Sequence, residues 1–164
     1  MLNTFLHEPK MLLKNWKILR QHLSKEPNET EQLSTVVKFW SLAPLSVRVL
    51  DWDKPHIWPD AWQLIHSQTF DESSISLAMY YTLVLSSDAT WTKDRLSLIL
   101  VKDPIRQIQK IILKVDNRWY MNLDYNLLVD SNTSVVKLSI QQKYTFDGKQ
   151  HFSIDNQKNI SNTS

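Results

Sequence analysis

The stretch Val135–Phe146 reads VVKLSIQQKYTF, and its alternation decides the class of fold. Val136, Leu138, Ile140, Tyr144 and Phe146 share one face of an extended chain, while Lys137, Ser139, Gln141, Lys143 and Thr145 share the other. A period of two with one apolar face predicts a half-buried strand. Asp147-Gly148 follows directly and reads as a hairpin turn, placing the sole glycine of the chain where a positive φ is wanted. Phe152 and Ile154 then belong to the returning strand.

Working back toward the N-terminus, more strands come into view. Asp116-Asn117 makes a two-residue type I′ turn between Gln107–Val115, rich in Ile and Val, and a partner strand over Arg118–Asp124. Leu96–Val101 is an apolar run of strand length.

Before these the period changes. Leu12, Trp16, Leu19 and Leu23 recur at helical spacing, with Pro9 in the first turn and Pro27 beyond the end. Asn28 followed by Glu31 resembles a capping box for a second helix, which carries Leu33, Val36, Val37 and Trp40. These two read as an antiparallel pair. Pro59 suits the first position of a short helix bearing Trp62, Leu64 and Ile65, and Asp71 caps another that bears Ile75, Ala78, Met79, Thr82 and Leu83. Helices first and an antiparallel sheet after them define an α+β fold. The expected organisation is a helical pair over 1–44, an α+β core over 45–155, and a polar tail over 156–164.

Composition narrows the function classes. The chain has 164 residues, 42% hydrophobic and 22% charged, ordinary values for one domain. Its net charge of +2 is spread along the sequence, so no clustered basic footprint marks a polyanion-binding surface, and nucleic acid is not an expected partner. The absence of cysteine excludes disulfides and thiol catalysis, and suits a reducing or redox-indifferent setting. One glycine cannot build a dinucleotide or P-loop fingerprint. No uncharged apolar run approaches the roughly 20 residues of a membrane span. MLNTFLHEPK lacks the pattern of a secretory signal.

Few groupings suggest chemistry. Asp51, Asp53, His56 and Asp60 offer donors for a divalent metal, yet Trp52, Trp58, Trp62 and two prolines among them favour a pinned irregular segment whose carboxylates cap turns. Asp130 with Gln141-x-Lys143 resembles the arrangement of PD-(D/E)xK nucleases, in which metal and lysine reach one phosphate, although no glutamate precedes the lysine. The histidines are isolated, and Ser73, Ser74 and Ser76 sit in a helix start, where serine usually caps. No catalytic, cofactor or metal residue is therefore expected, and no cofactor. Lys10, Lys14, Lys17 and Arg20 read as one helical face opposite Trp16 and Leu19, more often solvated than turned to an acidic partner or a nucleic-acid backbone. Ile160 is the one apolar residue in the tail, and would be its anchor on a partner.

Two resemblances add to this reading. WPDAWQLIHSQTFDESSISLAMYYTLVL and NRWYMNLDYN are similar to segments of uncharacterised small proteins of marine contractile-tailed bacteriophages, which share W-P-x-x-W-x-L-I, an F-D-x-x helix ending in Y-T-L, and a late L-D-Y. That likeness covers about residues 39–130 and implies a virion or particle-assembly setting, with other phage structural proteins or a second copy of the chain as partners. The element order also resembles the transglutaminase-like, papain-related core. That resemblance implies a cysteine near Asp71–Ser74, a histidine near Gln109–Ile111 and an aspartate near Asp124; only Asp124 is present. A relative that kept the scaffold without the nucleophile and base is what these residues imply. The expected function is thus a non-catalytic structural or docking protein of a tailed-phage virion. The alternatives are a metal-dependent phage nuclease or other phage enzyme, and a soluble host-takeover binder.

Overall fold

The computed structural model describes residues 9–47, 50–86, 90–134, 137–147 and 152–155. Helix α1 (Pro9–Lys25) begins at its proline, and α2 (Glu29–Trp40) is capped by Asn28, whose side chain accepts from Glu31 N–H. Half of the expected capping box forms, because the Asn28 N–H bonds Glu26 instead. Helix α3 (Ala61–Ser67) starts two residues later than expected. Asp60 and Gln63 make a reciprocal capping box there, which leaves Pro59 ahead of the cap.

Helix α4 (Glu72–Val84) holds the molecule together. Its sequence ESSISLAMYYTLV has no polar stripe, and residues 73–83 are buried all round, as befits a helix enclosed on every side. One side lies on the sheet, while α1, α2 and α3 pack on the others. The expected pair therefore meets through α4. Trp16 of α1 and Trp40 of α2 both donate to the Thr82 hydroxyl, at 2.9 and 3.0 Å.

The strands are β1 (Leu96–Asp103), β2 (Ile108–Val115), β3 (Trp119–Met121), β4 (Val129–Asp130), β5 (Ser139–Phe146) and β6 (Phe152–Ile154). They form one antiparallel sheet in the order β4-β3-β2-β1-β5-β6. The α+β class with N-terminal helices is as the sequence implied. The Asp116-Asn117 turn also forms: both residues have φ 54°, and Arg118 N–H donates to Val115 O. The partner strand is shorter than expected, since Asn122 at φ 69° turns the chain away after Met121.

Strand β1 is buried on both faces. Leu98 and Leu100 join the large helix-side cluster, while Ile99 and Val101 join Ile112 and Leu123 on the far side. This explains the unbroken apolar run of that strand.

The alternation of β5 is corrected by a bulge. Leu100 pairs with Gln142 but Val101 pairs with Ile140, leaving Gln141 as an extra residue. One inserted residue reverses the facing of everything before it. Tyr144 remains on the helix side, whereas Leu138 packs against the far cluster and Ile140, opposite Val101, is 57% exposed. Val135 and Val136, the glycine of the expected Asp147-Gly148 turn, and the whole tail with Ile160 lie outside the described residues. Phe146 and Phe152, which flank that turn, are paired.

Candidate functional site

The site grows from the place where β3 stops. Beyond Met121 nothing in β3 pairs with the edge of β2, and the first turns of α4 take that place. Ser73 Oγ accepts from Ile111 N–H at 3.1 Å, and Ser76 Oγ donates to Ile111 O at 2.8 Å. Two helix hydroxyls thus satisfy a backbone pair that a longer β3 would have satisfied. Trp52 Nε1 also donates to Ser73, at 3.2 Å, and Asn122 Nδ2 donates to Ser76 at 2.8 Å and to Glu72 O. Asp71 caps the helix through the N–H groups of Ser73 and Ser74, and receives the Ser74 hydroxyl.

Next to this junction opens a cleft of about 430 Å³ between α2, α4, β2 and the loop after β3. Ile75, Met79 and Ile108 supply apolar wall, and Leu45 and Tyr125 form lips that are 62% and 75% exposed. Arg106 lies at one end, ion-paired to both Asp103 and Asp124. Lys110 also lines the cleft and is only 8% exposed. Burial holds its ammonium below the usual lysine range, with Arg106 adding to that effect while Glu72 and Asp124 oppose it. Among the described residues, neither a hydrogen bond nor an ion pair engages its amine.

The positions singled out by the transglutaminase-like resemblance do converge. The Asp71–Ser74 turn touches Ile111 directly, and Asp124 sits in the loop across the same cleft. The nuclease residues do not. Asp130 is on β4 and Gln141 and Lys143 are on β5, with three strands between them, a separation of about 19 Å. Asp130 instead pairs with Arg118 at 3.1 Å, and its carboxyl is held below the usual range chiefly by the Asn132 N–H, then by Arg118.

The Asp51–Asp60 segment is wired as a structural turn. Asp51 accepts from Asp53 N–H at 3.0 Å, Trp58 Nε1 donates to Asp51 O at 2.7 Å, and Asp60 caps α3. Among the described residues no group of three acidic or histidine side chains is arranged to hold a metal. Lys10, Lys14 and Lys17 are exposed. Arg20 departs from their face: its guanidinium lies 4.1 Å from the Trp16 ring centroid, because four residues return a helix to nearly the same side. Lys110 was missed from sequence, although a lysine two residues before the buried Ile112 within IQKIIL is itself a signal.

No family model matches the chain, and no curated protein does. Solved structures do. LapG of Legionella pneumophila in its calcium-bound form superposes with a TM-score of 0.67 at 14% identity, covering 88% of this chain and 82% of that one. A second LapG structure gives 0.67, and an EGTA-treated one 0.66, both at 14% identity and covering 85% of this chain and 75% of the other. The phage resemblance has no counterpart among these three. At such identity the likeness is one of fold, and the fold is the transglutaminase-like, papain-related one that the element order resembled.

Proposed function

We propose that this chain is a non-catalytic docking protein on a transglutaminase-like scaffold, serving as a component or assembly accessory of a tailed-phage particle. One observation carries the non-catalytic half. The resemblance puts a nucleophile near Asp71–Ser74; of the two serines there, Ser73 has both acceptor lone pairs engaged, by Ile111 N–H and by the Trp52 indole, and Ser74 donates its hydroxyl to the helix-capping Asp71. Attack on a carbonyl needs a free lone pair and a base to take the proton. On β2, where that base is implied, stand Gln109, Lys110 and Ile111. Ser73 is part of the joint between helix and sheet.

The phage setting rests on the sequence resemblance alone. The nuclease alternative is disfavoured by the separation of Asp130 from Lys143. The test has two parts. Mass spectrometry of purified virions is expected to find the chain at stoichiometric level; its absence there would favour the host-takeover binder. Hydrolysis of peptide and amide substrates is expected to stay at background, and turnover abolished by Ser73→Ala or Asp124→Asn would overturn the non-catalytic reading.

A further inference from the structure

We propose that the cleft beside α4 holds a short, uncharged, apolar stretch of a partner polypeptide, with the Lys110 amine donating to one of its main-chain carbonyls. This rests on the docking reading and names what docks.

The first argument is the lysine. The stem of this lysine is buried and its amine opens on the cleft without a protein acceptor among the described residues, so the ammonium keeps only part of the hydration it has in water. Nearby carboxylates favour the ammonium at a distance but do not bond it. Asp124 and Asp103 are already engaged by Arg106, and Glu72 is exposed and beyond ion-pair reach. The amine lines a cleft of about 430 Å³, a size that encloses a small ligand or a short piece of chain. An acceptor arriving in that cleft would complete it.

The second argument is charge. Lys110 and Arg106 face Glu72, Asp124 and Asp103, so the cleft is not cationic as a whole. Another carboxylate would meet the repulsion of Glu72 and Asp124, while a carbonyl would satisfy the amine without that penalty. A neutral acceptor is the better complement.

The third argument is the lip. Leu45 and Tyr125 project at the mouth, and Ile105 and Leu127, each within two residues of the cleft lining, are 85% and 58% exposed. An occupant that covers them must continue out of the cleft, as a chain does and a small molecule does not.

The experiment uses the full-length protein and a positional-scanning library of acetylated, amidated tetrapeptides, followed by titration of the selected peptide. Leucine, isoleucine, valine or methionine is expected at two or more positions, with aspartate and glutamate depleted. The selected peptide is expected to bind Lys110→Met about tenfold or more weakly, the usual loss of a hydrogen bond from a charged donor. The exposed-site variants Leu45→Ser and Tyr125→Ala, chosen because they cannot harm the core, should also weaken it. Selection of acidic residues, no selection at all, or equal affinity for wild type and a folded Lys110→Met variant would each overturn the proposal. Peptide selection together with absence from virions would leave this inference standing and remove the particle reading.

Discussion

Thr82→Val is the sharpest test of how this fold is assembled. Thr82 is wholly buried in α4; its hydroxyl donates to Ala78 O at 2.7 Å and accepts from the indoles of Trp16 and Trp40, themselves fully buried. Valine keeps the shape and the β-branched helix propensity, so packing and backbone preference change little. What changes is that two indole N–H groups lose their acceptor inside the core. Each stranded donor costs about 1–3 kcal/mol, and removing the threonine hydroxyl, which must itself be desolvated, returns part of that. A net loss of about 3 kcal/mol follows, or roughly 6–12 °C in Tm for a chain of this size. Urea unfolding followed by far-UV circular dichroism measures it without relying on the indoles as reporters. The same substitution in a Trp16→Phe, Trp40→Phe background, which has no donors to strand, is expected to cost less than about 1 kcal/mol. Equal losses in the two backgrounds, or a loss below about 1 kcal/mol in the wild type, would refute the reasoning.

Three further outcomes are expected. Ser73→Ala removes the acceptor of Ile111 N–H and Trp52 Nε1 and should lower stability by about 1–3 kcal/mol in denaturant titrations; a neutral result would free Ser73 from its structural assignment. Lys110→Met should raise the unfolding free energy at neutral pH by on the order of 1 kcal/mol, since it removes a partly desolvated ammonium. Because the folded-state pKa of Lys110 is lowered, the wild type should recover that difference as the pH rises through its folded value toward the unfolded one; a gap that stays constant with pH would contradict this. Arg95 bonds Asp116 and Glu29 and lies 4.3 Å from the centroid of the Trp91 ring, and it depresses both carboxyls. Depressed carboxyls add stability above their unfolded pKa values and lose it as the pH falls through the folded ones. Arg95→Met should therefore cost about 1 kcal/mol near neutrality, less in high salt, and flatten the acid limb of the stability curve; an unchanged acid limb would count against the cluster.

Local sequence determined the elements. The spacing of Leu12, Trp16, Leu19 and Leu23, the caps at Asn28 and Asp71, and the Asp116-Asn117 turn each depend on a few neighbouring residues, so each was readable before any contact was known. The run Leu96–Val101 was readable as a strand, while its burial on both faces came with the packed sheet. Register was not readable in the same way. Nothing in VVKLSIQQKYTF marks Gln141 as the extra residue, because a bulge is set by the strand alongside, and its effect was to reverse Leu138 and Ile140. The neighbours of α4 also required the tertiary structure: Trp16, Trp40 and Thr82 are separated by up to 66 residues, and only the packed molecule brings the two indoles to one hydroxyl. The candidate cleft is of the same kind. Lys110, Glu72, Asp124 and Leu45 come from four separate segments, and the unpaired amine is visible only once β3 ends early and leaves that edge of β2 to α4. Periodicity and capping are short-range physics and sequence carries them, whereas pairing, burial of charge and the shape of a cleft belong to contacts between distant segments.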